Sequence, residues 1–215
     1  MPLFVVSRPL RRTVLLSLAT SCALVAGLAF PAHAAPPSNV PASIQSLMEA
    51  GDTVLAFQPA KPFGAGSAGG ALVVRHAQPD PKTQNTCERW LMSATGATYA
   101  VSAKKGEVID CRYNESAKQA DPMALSHNLT VSPTSVTYFN ELPRGGTTYA
   151  FAWDAQKHVW HLQHVEATSV ENGESEVIVT KSVLDYPATL PLLTIDAFSP
   201  KAIREALHIH RSIVH

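Results

Sequence analysis

Charge and sulfur are both scarce in this chain. Of its 215 residues, 16% are Asp, Glu, Lys or Arg, the basic and acidic side chains balance at 17 each, and there are three cysteines. The balance excludes a nucleic-acid binder held by bulk positive potential. A hydrophobic fraction of 46% excludes wholesale disorder. The sequence has no self-similar period of roughly 20 to 50 residues. It also lacks G-x-S-x-G, H-E-x-x-H, an EF-hand loop and any C-x-x-C pair. The carboxylates are scattered, so no pair suggests glycoside hydrolysis.

The amino terminus carries an export pattern. Arg8, Arg11 and Arg12 precede an apolar stretch from Val14 to Phe30, and Ala32-His33-Ala34 follows Pro31. Basic head, apolar middle and A-x-A end are the parts of a secretory signal. The stretch lies at the short limit for a membrane span and holds Ser17, Thr20, Ser21 and Cys22. Ala19-Thr20-Ser21-Cys22 loosely resembles a lipobox, but the apolar run continues past the cysteine. The expectation is a signal peptide over 1–34, cleaved between Ala34 and Ala35, and a periplasmic or secreted product with no stable membrane span. All 17 acidic and 14 basic residues remain after cleavage, a net charge of −3. Residues 35–42 read as a proline-rich leader, and 43–215 as a single β-rich domain ending in a helix.

Cleavage would leave Cys87 and Cys111. An even count in an exported chain reads as one disulfide. In the chain-entropy model, closing that loop stabilises a fold by roughly 3 kcal/mol. No cofactor or metal is expected.

Ile44, Leu47 and Met48 repeat at helical spacing before Gly51. Runs of strand character follow at Thr53–Phe57, Ala71–His76, Arg89–Ser93, Thr98–Ser102, Val108–Tyr113, Leu129–Val131 and Val136–Phe139. Tyr149, Phe151 and Trp153 alternate with alanines, Asp154-Ala155-Gln156-Lys157 supplies a turn, and Trp160 and Leu162 resume the alternation. Glu171-Asn172-Gly173-Glu174 links Val165–Val170 to Val177–Val183, and Asn-Gly tolerates the positive φ of a tight turn. These segments predict an antiparallel meander whose aromatic face (Tyr149, Phe151, Trp153, Trp160) is core. Ser199-Pro200 opens a closing helix, with Ser as cap and Ile203, Leu207 and Val214 or Ile213 as its apolar stripe. The fold class is therefore mainly β (α+β): an antiparallel meander, sandwich or barrel-like sheet with short amino- and carboxyl-terminal helices.

Several motifs suggest chemistry. Gly64-Ala65-Gly66-Ser67-Ala68-Gly69 matches G-x-G-x-x-G, but a strand follows it where the dinucleotide fingerprint needs a helix. It reads as a glycine turn. His158 and His164 would share a strand face about 20 Å apart, with His161 pointing the other way, too far to share a metal. His208 and His210 would point to opposite sides of the last helix, and His215 follows them. Asn114-Glu115-Ser116 and Asn128-Leu129-Thr130 are glycosylation sequons.

Val73-Val74-Arg75-His76-Ala77 resembles the strand-end R-H-G or R-H-A motif of the histidine phosphatase family. That resemblance implies His76 as nucleophile, Arg75 as phosphate clamp, an α/β fold and a second catalytic His, for which His127 is the available residue. A broader pattern comprises Ala71-Leu72-Val73-Val74, Cys87-Glu88-Arg89-Trp90-Leu91, Cys111, Tyr149–Trp153 and Trp160-His161-Leu162. It resembles uncharacterised exported bacterial β-rich proteins with a D-x-L-V-V strand, a cysteine pair and a W-x-L hairpin. Phe63-Gly64-Ala65-Gly66-Ser67 is similar to a degenerate FG-GAP unit without its calcium-binding Asp residues. This resemblance implies secretion and a β-rich fold without bound calcium. The expected function is a non-catalytic exported domain that binds a protein or envelope partner. The alternatives are a hydrolase using Arg75 and His76, or a structural envelope component.

Overall fold

A computed structural model describes residues 40–82, 84–109, 122–173 and 176–214. All of these fall within one compact unit, Ala34–His215. The expected signal segment, most of the leader, Cys111, the Asn114 sequon and His215 lie outside the described residues.

The chain is mainly β. A short helix α1 (Ala42–Gln45) precedes strands β1 (Thr53–Ala60), β2 (Gly69–Arg75), β3 (Cys87–Thr95) and β4 (Thr98–Lys105). They form one antiparallel sheet in chain order. Strands β5 (Leu129–Val131), β6 (Ser135–Leu142), β7 (Gly145–Asp154), β8 (Val159–Asn172) and β9 (Val177–Asp185) form a second meander. Helix α2 (Pro200–Ile209) and strand β10 (Arg211–Val214) follow, and β10 pairs with β9 at the edge of that sheet. Neither sheet closes into a barrel.

Period-two alternation decides which side chains meet. In β3, Cys87, Arg89 and Leu91 face inward, while Trp90 and Met92 face outward. The inner face shares one core with Tyr138, Phe151, Leu162 and Val165 of the second sheet. Leu72, Val74, Trp90 and Met92 on the outer face are covered by Val40 and Ile44. Burial on both faces explains why β2 is an unbroken apolar run rather than an alternating one. Bulges keep the register: Leu55 and Ala56 both reach the main core because β1 bulges between Val54 and Ala56. Gln58 bridges the sheets, its Nε2 donating to the Leu129 carbonyl at 2.6 Å and its Oε1 accepting from the Val131 amide at 3.1 Å.

The aromatic hairpin forms as expected, with Tyr149, Phe151 and Trp160 buried and Trp153 packed against them. Three expectations need correction. Val108 lies in a 3-10 turn (Gly106–Val108) and not in a strand, because the β3–β4 hairpin has already ended; Ile109 follows it, and 110–113 lie outside the described residues. The last helix stops at Ile209, so Ile213 and Val214 are exposed edge-strand residues and no part of its stripe; only Ile203 is fully buried there. Ser199 makes no side-chain cap, leaving Pro200 in the first turn as the start signal.

Candidate functional site

The first sheet ends in a charged cluster built around His76. The β2–β3 register sets Val74 opposite Glu88, and the His76 amide extends the ladder by donating to the Thr86 carbonyl at 2.7 Å. His76 Nδ1 lies 3.1 Å from Asp52 Oδ2, and its Nε2 lies 3.2 Å from Glu88 Oε2. Asp52 is nearly inaccessible: its side chain is 2% exposed and also accepts the amides of Glu49 and Ala77. Trp90 Nε1 donates to the same Glu88 oxygen at 2.6 Å, and Lys104 Nζ sits 4.0 Å above the Trp90 ring. Asp52, His76, Glu88 and Lys104 border a recess of about 570 Å³ whose rim includes Pro79, Asn85 and Glu107.

The electrostatics follow from these contacts. The hydrogen bond to Glu88, helped by the charge of Asp52, raises the His76 pKa above its ordinary 6.5 against the opposing effect of burial. Burial pushes Glu88 up, but the hydrogen bonds from His76 and Trp90, with the charge of Lys104, outweigh it and hold its carboxyl below the ordinary range. Both shifts favour the charged pair, an imidazolium donating from both nitrogens to carboxylates. The two carboxylates beside the ring repel a phosphate.

Arg75 does not join this cluster. Its guanidinium donates to Thr53 Oγ1 at 3.3 Å across the β1–β2 pair. His127 sits exposed in a 3-10 turn, Ser126–Asn128. The antiparallel sheets also differ from the α/β fold that the phosphatase resemblance implies. Sequence reasoning missed Asp52, Glu88, Trp90 and Lys104 as partners of His76, because strand register brings them together.

The other candidates are dispersed. Cys87 is buried at the head of β3, and Cys111 lies outside the described residues. His158 adopts positive φ in the β7–β8 turn instead of the strand, and a bulge at Gln163 breaks the expected alternation. His161, which points away from Trp160 and Leu162, is buried against Tyr186 with Nε2 3.1 Å from Gln163 Oε1, while His164 pairs with Asp185 at 2.7 Å. His208 and His210 are exposed. Gly64–Gly69 forms a turn into β2, with Phe63 bridged to Gly66. Among the described residues, no group of three His, Cys, Asp or Glu side chains is placed to hold a metal. No helix among them is long and apolar enough to cross a membrane.

A second recess, of about 370 Å³, opens toward the opposite end of the first sheet. Phe63, Trp153, Trp160 and His158 border it on one side, and Ser93, Ser102 and Asp196 on the other. The inward-facing Arg89 of β3 is 0% exposed, and among the described residues none of its three guanidinium nitrogens has a hydrogen-bond partner. Its guanidinium lies 4.1 Å from the centre of the Phe151 ring. Burial pushes this guanidinium down to about 9, which leaves it charged at neutral pH. Comparison with protein-family models, curated proteins and solved structures gives no match.

Proposed function

We propose that this chain is an exported, non-catalytic binding domain that recognises a protein or envelope partner in the periplasm or outside the cell. The observation that carries the reading is the commitment of His76. Carboxylates occupy both of its ring nitrogens, and Arg75 is engaged by Thr53. The most reactive-looking dipeptide of the chain therefore ties β1, β2 and β3 together. The aromatic recess at the other end is free to take a ligand and has the concave, largely apolar character of binding sites. A disulfide between Cys87 and Cys111 belongs to the same proposal. It is supported by the burial of Cys87, 1% exposed, and by the even cysteine count after cleavage.

Affinity capture from the native envelope extract, using residues 35–215 as bait, tests this reading. The expected result is a discrete partner that His76→Gln retains and Trp153→Ala loses. Hydrolysis of p-nitrophenyl phosphate that disappears in His76→Ala would overturn it.

A further inference from the structure

The lining of the aromatic recess indicates what chemistry it accepts. Phe63 lies 4.9 Å from Trp160, Trp160 lies 5.7 Å from Trp153, and Trp153 lies 6.2 Å from His158, all between ring centroids. Three separate segments supply these rings. Gly64 lets the loop come down onto the indoles. It has φ +57°, and a Cβ there would stand 3.3 Å from Trp160 Nε1 and 3.5 Å from Trp153 Cδ2.

The polar groups narrow the choice of ligand. Ser102 Oγ already donates to the Leu91 carbonyl at 2.9 Å, and Ser93 Oγ to the Ala100 carbonyl at 3.5 Å. Both serine hydroxyls are therefore engaged within the first sheet. Among the residues that border the recess, Asp196 carries the one carboxylate, and it is exposed. Lys105 reaches the backbone carbonyl of Asp196 at 3.3 Å, but its charge is met by Glu107 at 3.2 Å. The negative ring faces and this carboxylate both disfavour an anion.

We propose that this recess binds a small organic cation of the quaternary-ammonium type, its methyl-covered head against the half-buried Trp153 and its charge facing Asp196. Aromatic surfaces attract such a cation through their quadrupoles without having to replace a tightly held hydration shell. The volume, about 370 Å³, lies near the lower end of the range for small-molecule sites. The inference rests on the binding-domain reading and specifies the chemistry of its ligand.

Titration of residues 35–215 with choline chloride, read by tryptophan fluorescence and calorimetry against a sodium chloride control, tests it. The neutral comparison is 3,3-dimethylbutan-1-ol, in which carbon replaces the charged nitrogen. The expected result is saturable choline binding, with the alcohol weaker by roughly tenfold. Asp196→Asn should weaken choline binding and leave the alcohol unchanged, and Trp153→Ala should abolish saturation. Because Asp196 is exposed, that variant decides the matter even if Trp153→Ala fails to fold. Absence of saturable binding, equal affinity for choline and the alcohol, or indifference of choline binding to Asp196→Asn would each overturn the proposal. Partner capture that persists without choline binding would sink this inference alone. Choline binding without any captured partner would sink only the wider reading.

Discussion

His76 and Arg89 are basic side chains in or next to the same sheet, and the fold treats them in opposite ways. His76 sits at a strand end, half-buried, with a carboxylate on each nitrogen. Arg89 lies wholly inside, between the sheets, against a phenyl ring and, among the described residues, without a hydrogen-bonded anion. Burial and charge pairing are therefore separate choices in this molecule. The shallow group lies between two carboxylates, and the deep one faces the quadrupole of Phe151. A desolvated charge without hydrogen bonds is costly, whereas a partly exposed charge between two carboxylates stabilises the charged form. The first sheet is thus fastened at its His76 end and carries a liability in its middle.

Removing the ring that shields Arg89 should have the largest effect. Phe151→Ala should destabilise the domain by about 3–5 kcal/mol, measured by urea unfolding, since it opens a cavity and removes the ring that faces the guanidinium. Arg89→Met keeps the length of the side chain and removes the charge. It should stabilise the fold by about 1–4 kcal/mol. A loss of stability in that variant would show that the guanidinium is compensated after all, and the contrast with His76 would fail.

The smallest effect is one of pH. The folded pKa of His76 is raised, so its contribution is fully present below the unfolded value near 6.5 and is lost as pH rises through the higher folded value. The folded pKa of Glu88 is lowered from 4.5, so its contribution is present above that value and is lost as pH falls below it. The cluster should therefore stabilise most between pH 4.5 and 6.5. The thermal stability of the wild type should fall as pH rises above 6.5, and His76→Gln should flatten that slope.

The second sheet was largely legible in the sequence, because β7 and β8 alternate cleanly and Asn172-Gly173 marks the turn toward β9. The position of Arg89 was also written there: in Cys87-Glu88-Arg89-Trp90-Leu91-Met92, alternation groups Arg89 with Cys87 and Leu91. The general tendency of arginine to face water hides that signal. The His76 cluster was not legible, since Asp52 lies 24 residues before it and Glu88 12 after it, and only register unites them. The bulge at Gln163, which brings Val165 to the core in place of His164, leaves no mark in the alternation either. Arg211–Val214 continues an apolar pattern that suits helix and strand alike, and pairing with β9 decides the outcome.

The account depends most on His76 being a fastener and not a nucleophile. Its imidazole can be titrated by NMR with and without inorganic phosphate. A single titration with its midpoint above 6.5, unmoved by phosphate, is the predicted result. A midpoint at or below that value, or one that phosphate displaces, would contradict it.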